Sequence, residues 1–350
     1  MKTIELRKGT VVTIDQTKLP GQYVKITLRS CEEICRAIRE MKIRGAPLIG
    51  AAAAYGLALT TLRSRSKTIA VTIKELERSA QKLVETRPTG ANLRWAVQRI
   101  MEKARVFDNV EDLRAFVLKE ANEIRDEDIR SNIRIGKNGA TLIEDGDTIL
   151  THCNAGALAT AGYGTALGVV RAAIEEGKKV KVIATETRPL LQGARLTAYE
   201  LASEHIPVIL VTDSMVGHVF QHNIVNKVIL GADRVLRTGH IANKIGTYTI
   251  SLAAKQHGIP FYVAAPLSTF DFKGSADSIV IEHRREEEVL SFRGKRIAPK
   301  GVRALNPAFD VTPPENVTAI ITEERVFFPP YEVTLERFAK SASSRGPAAT

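Results

Sequence analysis

Five short apolar runs recur after residue 146, "DTILTHC", "KVKVIATE", "PVILVTD", "KVILGAD" and "PFYVAAP", and this recurrence constrains the fold more than any other feature. Segments of helical texture separate them, such as "ATAGYGTALGVVRAAIEEGK", "PLLQGARLTAYELASEH" and "KIGTYTISLAAKQHG". Crossovers of that length join parallel strands, because an antiparallel return needs only a tight turn. The prediction is an α/β fold with a doubly wound parallel sheet in the second half.

The first third reads differently. Residues 3–28 alternate and carry turn signals at Lys8-Gly9 and Pro20-Gly21, as short strands do. From Ser30 the apolar spacing becomes helical, in "CEEICRAIREMKI", "TIKELERSAQKLVETR" and the stretch from Val110 to Ile143. Residues 1–130 are thus expected to form a small β-lobe plus a helical domain, and 131–338 the sheet domain. The small, polar residues 339–350 are expected to form a disordered tail.

Composition narrows the function classes. A net charge of +11 raises the question of a nucleic-acid partner, but Lys and Arg alternate with acids and aromatics are only 5%. Few stacking platforms exist for single strands, so no nucleic acid is expected. "APLIGAAAAYGLALTTL" is short for a bilayer span and rich in Ala and Gly, which predicts a buried helix and no membrane. Three cysteines without a CxxC support neither a disulfide framework nor a zinc ribbon, and suit a reducing cytoplasm.

Four predicted strands end on Cys153, Glu186, Asp213 and Asp233. Ligands of open parallel sheets bind beyond the carboxyl ends of the strands, so all four are expected at one crevice. The small residues after Cys153, including Gly156, Gly162, Gly164 and Gly168, are expected to admit a ligand to the backbone. A helix start there would lower the thiol pKa. Cys31 and Cys35 are read as buried packing residues. Asp233 in "ILGADR" is a desolvated carboxyl suited to holding a proton, or else a cap or a partner of Arg234.

"ANKIGTY" sets Asn243 and Lys244 just before a helix start, a setting that suits phosphate. "IRGAPLIG" places Arg44, Gly45 and Ala46 at another helix start, with Pro47 in its first turn. "ETRPTG" adds Arg87, and "TRPLLQG" adds Arg188 and Gln192. His218 and His222 are one helical turn apart but lack a third ligand, so no metal is expected. No Walker motif, G-x-S-x-G elbow or GxGxxG fingerprint occurs, which argues against a hydrolase or a nicotinamide enzyme.

In this order, "RGAPLIGAAAAYGLAL", "RPTGANLRWA", "THCNAGALATAGYGTALGV", "TRPLLQGARLTAYEL", "TDSM", "GADRV", "ANKIGTY", "GIPFYVAAP" and "NPAFDVTP" resemble the methylthioribose-1-phosphate isomerase family. The resemblance spans residues 3 to about 330. It implies a Rossmann-like C-terminal domain, a homodimer, no cofactor and a small phosphorylated sugar as substrate. The implied reaction converts 5-methylthioribose 1-phosphate to 5-methylthioribulose 1-phosphate in methionine salvage. It also implies Asp233 as proton donor and Cys153 in transition-state stabilisation or proton transfer. Arg44, Gly45, Ala46, Arg87, Gln192, Asn243 and Lys244 fall on the substrate-binding positions.

Because carbon 1 carries the phosphate, ring opening gives no free aldehyde and an ordinary enediol route is blocked. Either a hydride moves from carbon 2 to carbon 1, or a base shuttles the proton through a phosphoenolate. The sequence leaves both open. Ribose-1,5-bisphosphate and 5-deoxyribose-1-phosphate isomerases remain alternatives, as does a non-catalytic initiation factor 2B regulatory subunit.

Overall fold

The computed structural model describes residues 2–87 and 90–344. Three antiparallel strands open the chain, β1 (Ile4–Arg7), β2 (Thr10–Ile14) and β3 (Lys25–Leu28). Five helices follow: α1 (Cys31–Arg39), α2 (Ala46–Arg63), α3 (Ile69–Val84), α4 (Ala91–Ala104) and α5 (Val110–Ala140). The α1 start is fixed by Ser30, whose side chain accepts from the Glu33 N–H. Helix α2 is apolar all round and packs against the other four helices, as a helix without a polar face must. Its small residues make that possible: a Cβ on Gly50 would lie 3.0 Å from the Asn92 carbonyl oxygen.

Helix α5 ties the two halves together. Leu113, Val117, Ala121 and Ile124 pack into the helical core, while Ile135 and Ala140 belong to the core of the sheet. Gly136 lets it cross α6 (Ala166–Glu175) closely, since a Cβ there would meet the Gly168 carbonyl oxygen at 2.8 Å.

The remaining strands and helices are β4 (Thr148–Thr151), β5 (Lys181–Thr185), α7 (Ala198–Ser203), β6 (Val208–Val211), α8 (Val216–Gln221), β7 (Lys227–Leu230), β8 (Arg234–Leu236), β9 (Ile241–Lys244), α9 (Thr247–Gln256), β10 (Phe261–Ala264), β11 (Phe270–Asp271), α10 (Glu287–Leu290), β12 (Ser291–Phe292), β13 (Lys295–Arg296), β14 (Phe309–Thr312), β15 (Ala319–Ile321), β16 (Val326–Phe327) and α11 (Tyr331–Ser344). The main sheet runs β16-β15-β10-β7-β4-β5-β6, parallel except for the antiparallel edge strand β16. A second sheet, β11-β8-β9-β14, carries "GADRV" and "ANK" out of the main sheet.

The predicted parallel sheet is present, but β6 departs from what such a strand expects. Ile209 is 58% and Leu210 49% exposed, where strands of parallel sheets are ordinarily covered on both faces. Helix α11 continues to Ser344, into the stretch expected to be a disordered tail, because Leu335 and Phe338 dock on the sheet core. Residues 345–350 lie outside the described residues. Among the described residues no helix is long and apolar enough to cross a membrane.

Candidate functional site

In the main sheet, strand order reverses direction between β4 and β7. Cys153 follows β4 and Asp233 follows β7, so the two stand beyond neighbouring carboxyl ends at the switch point, where α/β sheets bind ligands. A cavity open to solvent lies there. Arg44, Gly45, Ala46, Arg87, Cys153, Gln192, Asp233, Asn243 and Lys244, the nine residues on which the resemblance places the site, all line it. An annex shares Gly45, Ala46, Arg87, Asp233 and Phe309 with it and is walled by Ile49, Leu93, Ile279, Val280 and Ile281.

Arg44 reaches the cavity from the turn before α2 and is buried. Its Nη1 and Nη2 donate to the side-chain and main-chain oxygens of Asn154, both at 2.9 Å. Asn154 is held in turn, its Nδ2 donating to Glu200 Oε1 at 2.9 Å. The Glu200 carboxylate, fully buried, also accepts the N–H groups of Ala157 and Leu158 and pairs with Arg171 at 2.9 Å. Arg44 is therefore fixed by a chain of charge-assisted bonds that begins on α6 and α7. Gly45 has φ +96°, and a Cβ there would lie 2.4 Å from Ala159. Only glycine allows α2 to start against that backbone.

Cys153 sits at φ +59°, a left-handed conformation that surrounding contacts must enforce. Its N–H donates to Thr187 Oγ1 at 2.8 Å, and its carbonyl accepts from Thr197 Oγ1 at 2.6 Å. Burial pushes the thiol pKa up, against the pull of Arg44 and Lys244. This overturns the expected lowering: α6 begins only at Ala166, so the helix start expected just after the thiol is not there. Neighbouring His152 offers no base. Its Nε2 lies 2.8 Å from the Ile245 carbonyl, which can only accept, so Nε2 carries the proton. Nδ1 then accepts from Thr185 Oγ1 at 2.6 Å, and burial lowers the ring's pKa.

Asp233 is half-buried, and desolvation pushes its carboxyl pKa above the ordinary value while Lys244, Arg87 and Arg44 pull it back. Its N–H donates to the Ala242 carbonyl at 3.0 Å, which pins the β7–β8 turn. Lys244 Nζ donates to the Ala308 carbonyl at 2.9 Å and stands 4.6 Å above the Phe309 ring. Asn243 Nδ2 donates to Thr247 Oγ1 at 3.0 Å. Gln192 is buried, and its Oε1 has no hydrogen-bond partner among the described residues.

Several expectations are corrected. Gly156 and Gly164 pack protein on protein: a Cβ on Gly156 would meet Glu200 Oε2 at 2.4 Å, and one on Gly164 would meet Gly156. The cavity instead touches Ala155, Ala159, Thr160 and Thr165. Glu186 and Asp213 are not among its lining residues. The Asp213 carboxylate accepts the N–H groups of Thr187 and Arg188, and thereby shapes the loop whose Thr187 hydroxyl holds Cys153. Arg188 donates to the Val289 carbonyl away from the cavity. Cys31 and Cys35 are buried in the helical core. His152, Asn154 and Glu200 were missed, although "THCN" and "TAYEL" contain them. Their partners are distant in the chain, and no local pattern gives them away.

The model of the Initiation factor 2 subunit family matches residues 42–329. The chain belongs to this family. The methylthioribose-1-phosphate isomerase of Thermosipho africanus is 49% identical over 336 residues, 96% of this chain and 97% of that protein. The crystal structure of 5-methylthioribose 1-phosphate isomerase from Pyrococcus horikoshii superposes with a TM-score of 0.91 at 42% identity, covering 97% of this chain and 96% of that one. A structure described as translation initiation factor eIF-2B, subunit delta, from A. fulgidus has a TM-score of 0.87 at 48% identity, covering 97% and 99%.

Proposed function

We propose that the chain is an aldose–ketose isomerase that converts 5-methylthioribose 1-phosphate to 5-methylthioribulose 1-phosphate. The observation that carries this reading is the meeting of a desolvated Asp233, a half-buried Cys153 and the cations Arg44, Arg87 and Lys244 in one cavity. A binding subunit has no need of such a set, and this tells against the initiation-factor reading. The apolar annex beside Asp233 suits a methylthio group at carbon 5, while Arg44, Lys244 and the first N–H groups of α2 suit the phosphate.

In this reading the protonated Asp233 gives its proton to the ring oxygen, and the bond from that oxygen to carbon 1 breaks. Carbon 1 becomes cationic, and hydrogen moves from carbon 2 to carbon 1 with its electron pair. The protonated carbonyl left at carbon 2 returns its proton to the Asp233 carboxylate, which restores the acid. The thiol of Cys153 lacks a base to ionise it, since both His152 nitrogens are engaged, and so favours the hydride route over proton abstraction. The neutral thiol then orients the carbon-2 hydroxyl. The amide oxygen of Gln192 is free to accept a sugar hydroxyl.

The test is proton NMR of the purified protein with 5-methylthioribose 1-phosphate in deuterated water. Turnover without deuterium at carbon 1 is expected. Deuterium at carbon 1 would replace the hydride step by a base, and no turnover would refute the assignment.

We also read residues 1–130 and 131–338 as the two working units, with the helical unit closing the sheet unit's cavity through Arg44 and Arg87. The exposed apolar edge strand β6 supports a homodimer, which light scattering of the purified chain would test. Three free thiols suit the cytoplasm.

A further inference from the structure

The cations of the cavity fall into two kinds. At one end Arg44 donates to Asn154 and Lys244 to the Ala308 carbonyl, and neither forms a salt bridge among the described residues. At the annex each arginine already has a carboxylate beside it. Arg87 Nε is 3.9 Å from Glu282 Oε2, and Arg234 Nη1 is 3.6 Å from Asp271 Oδ2. Both carboxylates are held where they are. Glu282 Oε1 accepts from Arg284 Nη1 at 3.2 Å, and Asp271 Oδ1 accepts the N–H groups of Lys273 and Gly274 at 3.1 and 2.8 Å.

We propose that Glu282 and Asp271 are specificity-determining residues, which cancel the two annex arginines so that the cavity takes a sugar carrying one phosphate and rejects a 1,5-bisphosphorylated pentose. The inference rests on the isomerase reading above. Two guanidinium groups beside a concave wall are a ready phosphate site. With a carboxylate against each, the two arginines offer a second phosphate no net positive charge beside an apolar wall, so its desolvation goes uncompensated. The annex is left suited to an uncharged carbon-5 group. Arg87, half neutralised, remains able to donate to sugar hydroxyls.

The experiment uses the full chain with Glu282→Gln, Asp271→Asn and both together; each amide keeps the shape and an acceptor oxygen. kcat/KM is measured for 5-methylthioribose 1-phosphate and for ribose 1,5-bisphosphate, and inorganic phosphate is titrated by calorimetry. Removing both charges should raise the bisphosphate-to-methylthioribose ratio by about tenfold or more. It should also turn one phosphate site into two. Equal use of both sugars by the unaltered chain would overturn the proposal. So would a ratio unchanged in all three variants while 5-methylthioribose 1-phosphate is still turned over. If the variants lose activity, an unchanged count of phosphate sites refutes it instead. Turnover of neither sugar by the unaltered chain would sink the isomerase reading itself, and this inference with it.

Discussion

Replacing Asp233 by Asn separates the chemistry of this carboxyl from its place in the fold. The two side chains have nearly the same shape, but the amide cannot release a proton to a ring oxygen. Loss of a general acid costs about 10²–10⁴-fold in rate, or about 3–5 kcal/mol of barrier. Stability should move the other way. Burial raises the Asp233 pKa in the folded chain above the ordinary carboxyl value of 3.8. A group raised in this way contributes stability that is fully present below its unfolded pKa and is lost as pH rises through its folded one. Asn has no proton to lose. The melting temperature of D233N should therefore equal that of the unaltered chain near about pH 4 and exceed it near about pH 8. The assay is kcat by NMR beside thermal melts at the two pH values. Retention of more than about a tenth of kcat would refute the general-acid role. A melting temperature that falls at alkaline pH would show that Asp233 serves the fold as an ion pair.

Three further outcomes are expected. Gly45→Ala should lower the melting temperature and abolish substrate binding, because its φ of +96° and the 2.4 Å approach to Ala159 leave no space for a methyl group; an unchanged melt would contradict the packing. Glu200→Gln should destabilise by about 3–5 kcal/mol, since it leaves the buried Arg171 with one of its two carboxylate partners, Glu204, and should weaken substrate binding through Asn154 and Arg44; chemical denaturation and KM measure the two effects. Asp128 on α5, whose Oδ2 accepts the Ala161 N–H, has its pKa pushed up by burial from 3.8 to about 7. Its stabilisation is lost as pH rises through that window, so Asp128→Asn should flatten the pH dependence of melting there; a dependence as steep as before would exclude Asp128 as its source.

The sequence by itself determined the α/β class, the strand ends that carry Cys153 and Asp233, and the Gly-containing starts of α2 and α9. These are legible because alternation of period two and period 3.6, turn residues and helix starts are local properties of the chain. It also picked out nine of the residues that line the cavity, through motifs whose order along the chain is distinctive, but not His152 or Asn154 beside them. Local pattern could not decide what surrounds each group. The Cys153 thiol is raised because α6 starts later than expected and burial outweighs two cations. The glycines of "NAGALATAGYG" pack on Glu200 and on one another, far apart in the chain. Glu186 and Asp213 share strand-end positions with the cavity residues yet turn away from it, and the charge of Arg87 and Arg234 depends on carboxylates contributed by the β11 region and the segment before α10. Desolvation and Coulomb interaction depend on distance in space, so the acid, the thiol and the annex acquire their chemistry only once the chain is folded.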